Sequence, residues 1–192
     1  MRTLNNSDFT AFNMDKSRFT DHLAALNSLR IRKWVFEPGM LFLSEFKWWG
    51  DKGQRAHPHN GLDLRLYETA DGTLETIDED AMIPIIYGGE IVRVVKDFIG
   101  YTLFAAHEIC EGGSQLFSIY GHVQQTTDVD TEKWLGKGTA VARLAGKRSI
   151  HVPAHLHLSI ALIPKTIPFK DLTWDTLNKG DNILFLDPGL II

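Results

Sequence analysis

The sequence predicts a mostly β protein, built from antiparallel sheet and preceded by a short N-terminal helix. Two observations lead to this fold class. The first clear helical periodicity lies near the N-terminus, at residues 17–30. Beyond Gly39 the chain changes to short apolar runs, each bounded by Gly, Pro, Asp or Asn, which is typical of strands joined by turns.

The helix is predicted at residues 17–30, with Asp15 or Ser17 as its N-cap. The adjacent glycines Gly88 and Gly89 fit a tight hairpin turn. The apolar positions that define the helix are Phe19, Leu23, Leu26 and Leu29, and the predicted strands lie at residues 40–46, 82–87, 90–95, 101–106, 115–120, 139–144 and 155–162.

An acidic stretch at residues 68–80 carries six acidic side chains around a turn signal at Asp71 and Gly72. We expect a solvated surface loop here. A loop that binds a cation or selects a substrate is the alternative, and the sequence leaves it open.

The composition limits what the protein can do. A chain of 192 residues, 44% hydrophobic and 23% charged, is long enough for one sizeable core. The net charge of −4 provides no cationic field for a phosphate backbone, so we predict no nucleic-acid partner. The lone cysteine, Cys110, excludes an internal disulfide and a thiolate-only metal site. Any metal would be held by nitrogen and oxygen, and the eight histidines are suitable donors.

The sequence predicts no membrane span, because no apolar run approaches the length of about 18 residues that a spanning helix needs. The first 15 residues also lack the apolar stretch of a secretory signal peptide. Two expectations therefore stay open: the protein is cytoplasmic, or this chain begins after a removed signal. The sequence does not indicate an oligomeric state.

Two histidines and a carboxylate lie close together at residues 56–64, which read AHPHNGLDL. The proline, asparagine and glycine in this segment oppose a continuous helix, so a loop that enters a strand fits better. In such a loop Gly61 allows His59 and Asp63 to converge on one point. His57 is a competing donor.

A second pair of histidines lies in the last predicted strand. Residues two apart on a strand share a face, so His155 and His157 project together while the leucines beside them face the core. A further histidine, His122, follows the apolar run that ends at Tyr120, and it carries little information by itself.

Together these segments resemble the M23 family of zinc metallopeptidases, of the lysostaphin and LytM type. The matches occur in the family's order and approximate spacing, and the resemblance extends from about Trp48 to the C-terminus. The motifs that carry it are an HxxxD pattern at His59 and Asp63, a Tyr-x-His pattern at Tyr120 and His122, an HxH pattern at His155 and His157, and a closing Asp187-Pro188 segment.

The resemblance implies a twisted antiparallel, sandwich-like LytM fold, also called the duplicated hybrid motif. It implies that His59, Asp63 and His157 are zinc ligands and that His122 and His155 are the catalytic imidazoles. Two imidazoles and one carboxylate leave a coordination position open, which suits a catalytic zinc site. The expected activity is hydrolysis of peptide bonds by a zinc-activated water, in peptidoglycan stem or cross-bridge peptides. The expected location is the cell envelope or the extracellular space.

Some features lie outside this resemblance. The position after the HxH motif that is usually acidic is Ser159, which leaves the substrate preference open. Residues 1–37 are predicted as an N-terminal helical extension of an M23-like domain at residues 38–192, and an asparagine from this extension is a conceivable zinc blocker. The asparagines available for that role are Asn5, Asn6 and Asn13.

Two alternative functions stay open from the sequence. One is a non-catalytic LytM-like adaptor or activator module that binds a partner. The other is a cupin-like oxygenase, in which two histidines and a carboxylate hold iron.

Overall fold

The structure is a computed structural model that describes residues 2–3, 16–125, 133–146, 152–180 and 182–192. It confirms the predicted fold class: the protein is mostly β, and a short helix lies near the N-terminus. Within the described ranges the strand pairings are antiparallel except for one short pairing, that of β1 with β12. The predicted cap Asp15 and the asparagines Asn5, Asn6 and Asn13 lie outside the described residues, and the domain division at residue 37 stays a prediction.

Helix α1 spans Phe19–Asn27, inside the predicted range, and ends where Ser28 adopts a left-handed backbone with φ of 55°. Ser17 joins the start of this helix to the C-terminal segment. Its hydroxyl accepts a hydrogen bond from the Phe19 amide at 3.1 Å and donates to the Ile191 carbonyl at 2.9 Å.

Most of the predicted strands are present, with ends that differ by a few residues. A second helix, α2, spans Trp174–Lys179. No helix in the described ranges is both long enough and apolar enough to cross a membrane. The strands are β1 (Arg2–Thr3), β2 (Lys33–Val35), β3 (Leu62–Leu64), β4 (Leu66–Glu68), β5 (Leu74–Thr76), β6 (Met82–Pro84), β7 (Gly89–Lys96), β8 (Tyr101–Glu111), β9 (Ser114–Gln125), β10 (Ala140–Leu144), β11 (Leu156–Pro164) and β12 (Leu184–Leu186).

The strands form one large and one small sheet. The large sheet has the order β1-β12-β11-β9-β10-β6, with β3 also paired to β11 and with β8 joining β7 to β9. The small sheet has the order β2-β4-β5. Strands β9 and β11 lie at the centre of the large sheet, and β3 meets β11 at the end of the strand where His157 lies.

Apolar side chains cover both faces of the central strands. Along β11, Leu158 and Ile160 face a larger cluster that includes α1 and the small sheet, whereas Ala161 and Ile163 face a second cluster with the C-terminal segment. Because both faces are covered, the strand is a continuous buried run instead of an alternating one. The polar residues His157 and Ser159 lie on the second face, at the beginning of β11.

The run at residues 40–46 is not a strand, so this prediction is wrong. Pro38–Met40 form a 3-10 turn, and Leu43 has a left-handed φ of 64°. The backbone here bonds to the loop that carries His59: the Leu43 amide donates to the His59 carbonyl at 2.8 Å, and the His59 amide donates to the Ser44 carbonyl at 2.9 Å. This apolar run therefore supports a loop instead of extending a sheet.

Gly88 and Gly89 do not form a hairpin turn, because β6 pairs with β10 while β7 pairs with β8. Gly89 is the first residue of β7, where a Cβ atom would collide with the Ala106 carbonyl and lie 2.7 Å from His107 Nδ1. Close packing against β8 requires this glycine, and the sequence does not distinguish that requirement from a turn.

The acidic stretch at residues 68–80 is mostly exposed, but it is not simply a loop. It contains the hairpin of β4 and β5, whose turn lies at Asp71 and Gly72, with a φ of 86° at Gly72. Within the hairpin the Tyr67 hydroxyl donates to the Glu75 carboxylate at 2.6 Å. At least this carboxylate therefore stabilises the hairpin itself.

His107 is buried on β8, with 1% of its surface exposed. Its Nδ1 lies 3.0 Å from the Gly88 carbonyl oxygen and its Nε2 lies 2.8 Å from Ser118 Oγ, and Ser118 Oγ lies 2.8 Å from the Tyr120 hydroxyl oxygen. Burial lowers the pKa of His107 from 6.5 to about 4. This imidazole is therefore neutral at physiological pH and belongs to a buried polar network.

We expect the His107→Gln substitution to make stability less dependent on pH. Below pH 6.5 the unfolded chain protonates this imidazole, whereas the folded chain protonates it only near pH 4, so the free energy of unfolding falls as the pH drops through this window. One such proton contributes a slope of about 1.4 kcal/mol per pH unit. Urea unfolding of the metal-free protein between about pH 7 and pH 5 measures this slope.

The control for this measurement is His57→Gln, which removes an exposed imidazole and should leave the slope of the wild type unchanged. An equal slope in His107→Gln and the wild type would contradict the expectation.

Candidate metal centre

His59 is held in the loop before β3 by the segment that was predicted as a strand. Its side chain is buried, and its Nδ1 lies 3.0 Å from the Leu41 carbonyl oxygen. A carbonyl only accepts hydrogen bonds, so this nitrogen carries the proton of the neutral ring. The other nitrogen, Nε2, therefore presents an electron pair.

The register of the large sheet brings Asp63 and His157 together. Asp63 on β3 is the direct antiparallel partner of His157 on β11, and on the other side His157 is opposite Gly121 on β9. A Cβ atom on Gly121 would lie only 3.3 Å from the His157 Cβ atom. The glycine thus leaves room for the imidazole beside the carboxylate.

Three donor atoms converge at this point. His59 Nε2 lies 3.1 Å from Asp63 Oδ1 and 3.0 Å from His157 Nδ1, and the distance from His157 Nδ1 to Asp63 Oδ1 is 2.9 Å. All three side chains are buried. The structure therefore brings together the three residues that the resemblance predicts as zinc ligands.

The donor set fits a zinc ion. Donors at the usual zinc bond lengths of about 2.0–2.1 Å in a tetrahedron lie roughly 3.3 Å apart, close to the spacing found here. Two imidazole electron pairs and a carboxylate oxygen that face one another in a buried space repel each other unless a cation lies among them. Three protein ligands also leave one position open, as in a catalytic zinc site.

The second oxygen of Asp63 is directed away from the two other donors. It accepts a hydrogen bond from the Trp48 indole Nε1 at 2.7 Å and lies 3.6 Å from the Arg55 guanidinium. Because these contacts occupy Oδ2, the oxygen of Asp63 that faces the cluster is Oδ1. Trp48 is buried at the site, whereas the adjacent Trp49 lines the groove over it.

The ionisation of the cluster suits metal binding. Burial alone would raise the pKa of Asp63, but the imidazoles of His59, His155 and His157 hold that pKa well below its usual value of 3.8. Burial lowers the pKa of both His155 and His157 to about 4. Near neutral pH the Asp63 carboxylate is charged and the His157 imidazole is neutral, which is the state that metal ligands require. The adjacent His155 imidazole is neutral as well.

The two other predicted histidines lie beside the cluster. The rings of His122 and His155 meet edge to face, with centroids 4.8 Å apart. His155 Nε2 is 3.8 Å from Asp63 Oδ2, and its Nδ1 lies 2.7 Å from the Pro153 carbonyl oxygen. His122 has a left-handed backbone with φ of 62°, an uncommon conformation that directs its ring toward the site.

Asp97 supports His122 and was not identified from the sequence. The same carboxylate oxygen accepts hydrogen bonds from the His122 amide at 2.9 Å and from His122 Nδ1 at 3.2 Å. Burial would raise the pKa of Asp97, but the bonds from His122 and the Gly100 amide hold it well below its usual value. An aspartate followed by glycine three residues later signals only a turn, so the sequence does not indicate this role.

A groove of about 490 Å³ lies over the cluster. Aromatic side chains form part of its walls: Trp49 and Phe98 lie with ring centroids 5.9 Å apart, and Trp174 meets the His157 ring edge to face at 5.2 Å. Phe98 is 60% exposed. The cluster is therefore accessible from an open, partly apolar surface.

The remaining histidines contribute less to the centre. His57 is exposed and lines the groove outside the cluster. His107 has its hydrogen bonds in the buried network on β8. His151 lies outside the described residues.

Comparisons with known proteins find matches among solved structures. No protein-family model and no curated protein sequence matches this chain. The chain is similar to the catalytic domain of the antimicrobial peptidase lysostaphin from Staphylococcus simulans, with 14% identity, a TM-score of 0.47, and coverage of 82% of this chain and 90% of that one. It is also similar to LytU, with 16% identity, a TM-score of 0.47, and coverage of 82% and 88%.

A third similar structure is a mutant catalytic domain of the prophage-encoded M23 protein EnpA from Enterococcus faecalis. The identity is 17%, the TM-score is 0.37, and the match covers 66% of this chain and 83% of that one.

We expect Gly61→Ala to weaken metal binding. A Cβ atom at this position would lie 2.5 Å from the Leu158 carbonyl oxygen, 2.6 Å from Ser159 Oγ and 2.8 Å from His157 Nε2. Such overpacking costs about 1–3 kcal/mol of stability and moves the His157 ring away from Asp63. Zinc titration of the metal-free protein should show an affinity at least about 10-fold lower.

Gly136→Ala is the matched control, since the nearest atom to its added Cβ is 3.8 Å away. This variant should bind zinc as the wild type does. Wild-type affinity in Gly61→Ala would show that the loop does not need its close approach to β11.

Proposed function

We propose that the protein is a zinc-dependent metalloendopeptidase of the M23 type that cleaves peptide bonds in peptidoglycan cross-links. The observation that carries the proposal is the convergence of donor atoms from His59, Asp63 and His157 to within 3.1 Å of one another. The order of the motifs in the sequence supports the family. His122 and His155, beside the cluster, are the proposed catalytic imidazoles.

When bound, zinc with three protein ligands supplies a Lewis acid and a water whose pKa is near neutrality. The remaining chemistry is proton transfer by the chain's own imidazoles. His155 Nδ1 donates to the Pro153 carbonyl at 2.7 Å, so its Nε2 keeps an electron pair. With a pKa of about 4 the ring is neutral at physiological pH and is able to accept a proton.

His122 has a different partner. Its Nδ1 lies 3.2 Å from the buried Asp97 carboxylate, which accepts a hydrogen bond from this nitrogen. In the proposed reaction this imidazole donates a proton to the leaving amine or stabilises the developing oxyanion. The two imidazoles are thus assigned to different steps of the hydrolysis.

The groove supports a peptide as the substrate. It is open, and Trp49, Phe98 and Trp174 provide apolar surface along it. An open groove accommodates an extended chain, whereas small-molecule sites enclose most of their ligand. We propose peptidoglycan stem or cross-bridge peptides as the substrates, and the cell envelope or the extracellular space as the location, on the basis of the family resemblance.

The proposal predicts different defects in two variants. The wild type should contain about one zinc per chain and cleave defined muropeptides, and a chelator should abolish cleavage. His157→Ala should lose zinc, because one of three ligands is removed. His155→Ala should keep its zinc and lose at least about 100-fold in cleavage rate, since it removes only a proton acceptor.

Metal analysis and muropeptide digestion, performed on the same samples, separate the possible outcomes. A wild type that never takes up zinc would overturn the proposal. Zinc without cleavage, together with a stable partner, would indicate the adaptor module. Bound Fe(II) with consumption of dioxygen would indicate the oxygenase.

Asp97→Asn should reduce the cleavage rate by about 100-fold while zinc content stays unchanged. The amide presents one oxygen where the carboxylate presents two, so it cannot satisfy both the backbone turn and His122. The variant also loses the carboxylate charge beside His122 Nδ1. Steady-state kinetics and zinc analysis check this result, and full activity in the variant would exclude a role for Asp97 in proton transfer.

A further inference from the structure

The two ring nitrogens of His157 have different surroundings. Nδ1 lies in the donor cluster, whereas Nε2 lies 2.9 Å from Ser159 Oγ. Ser159 is two residues further along β11, on the same face of the strand, and has 0% of its surface exposed. Its hydroxyl is therefore fixed beside the imidazole by the strand itself.

Ser159 is in turn connected to two asparagines. Its hydroxyl donates to Asn60 Oδ1 at 3.5 Å, and Asn60 Nδ2 donates to Asn178 Oδ1 at 3.2 Å. Asn60 is 8% exposed in the loop between the ligands His59 and Asp63, and Asn178 is exposed on α2 at the edge of the groove. Three separate segments thus contribute one polar side chain each.

Each hydrogen bond in this series is donated in the direction away from the donor cluster of His59, Asp63 and His157. Because the Ser159 hydroxyl proton is directed to Asn60, the Ser159 oxygen accepts a hydrogen bond from His157 Nε2. A neutral imidazole with its proton on Nε2 carries its electron pair on Nδ1. That electron pair faces Asp63 and His59, where a metal ion needs it.

Hydrogen bonds donated in the reverse direction would place the ring proton of His157 on the wrong nitrogen for metal binding. If the Asn60 amide donated to Ser159, the Ser159 hydroxyl would donate to His157 Nε2, and the ring proton would move to Nδ1. An N–H group would then point into the donor cluster and leave no electron pair for a metal. Asn178 opposes this reversal, because its carbonyl oxygen accepts from the Asn60 amide nitrogen.

We infer that Ser159, Asn60 and Asn178 form a positioning relay that sets the tautomer and orientation of His157 for metal binding. The inference rests on the proposed function, because it assumes that His157 Nδ1 is a metal ligand. The relay residues act through His157 and not on the reacting atoms. Hydrogen-bonded partners of metal ligands typically change metal affinity by 10–100-fold when they are removed.

The first test is the zinc affinity of Ser159→Ala, measured by competition with a chromophoric chelator. The affinity should be about 10–100-fold weaker than that of the wild type. The matched control is Ser118→Ala on β9, the strand next to β11. It removes another buried serine hydroxyl that contacts a histidine, in this case His107 on β8. This control should keep the wild-type affinity, and equal affinity in Ser159→Ala would overturn the inference.

The second test observes the tautomer directly in the metal-free protein by long-range ¹H–¹⁵N NMR. His157 should carry its proton on Nε2 in the wild type and should populate both tautomers in Asn178→Ala. Asn178→Asp keeps an oxygen that accepts from Asn60 and should retain the wild-type tautomer. Asn178 is exposed, so these variants do not disturb the core. A wild-type proton on Nδ1 would overturn the relay.

The tests distinguish failure of the proposed function from failure of the relay. A wild type that binds no zinc overturns the proposed function together with the role of the relay. A wild type that binds zinc, with equal affinity and an unchanged tautomer in the relay variants, overturns the relay alone.

Discussion

Three electron pairs meet at the buried end of the large sheet, and the rest of the site depends on this arrangement. Asp63 contributes one and the imidazoles of His59 and His157 contribute two, with separations of 2.9–3.1 Å. Donors this close repel each other in a low-dielectric interior, so the surrounding fold must hold them together. The direct pairing of β3 with β11 and the glycines at positions 61 and 121 provide the space and the backbone geometry for this convergence.

A partner on the far side of each donor keeps it in place. The Leu41 carbonyl orients His59, the Trp48 indole occupies the second oxygen of Asp63, and Ser159 is bonded to His157. These partners belong to different segments, so the orientation of the cluster depends on the whole fold and not on one loop. Partners of this kind also select which nitrogen of each ring is free to bind a metal.

The imidazoles beside the cluster differ because their partners differ. His155 faces a backbone carbonyl, and burial keeps it neutral. His122 faces the Asp97 carboxylate, which accepts a hydrogen bond from its Nδ1. The groove thus presents two imidazoles with different hydrogen-bond partners next to the donor cluster.

The sequence by itself determined the fold class, the N-terminal helix and most of the strands, because periodicity places side chains on faces of helices and strands. The five residues at the centre were predicted from the resemblance of their motifs to the M23 family. The sequence did not indicate Asp97, Trp48 or Ser159 as partners, and it misassigned residues 40–46 as a strand, because their roles depend on contacts between distant segments. Asp97 and His122, for example, are 25 positions apart. Only the tertiary structure decided which atoms of the predicted residues face one another, since hydrogen-bond partners across the fold determine the orientation of each ring.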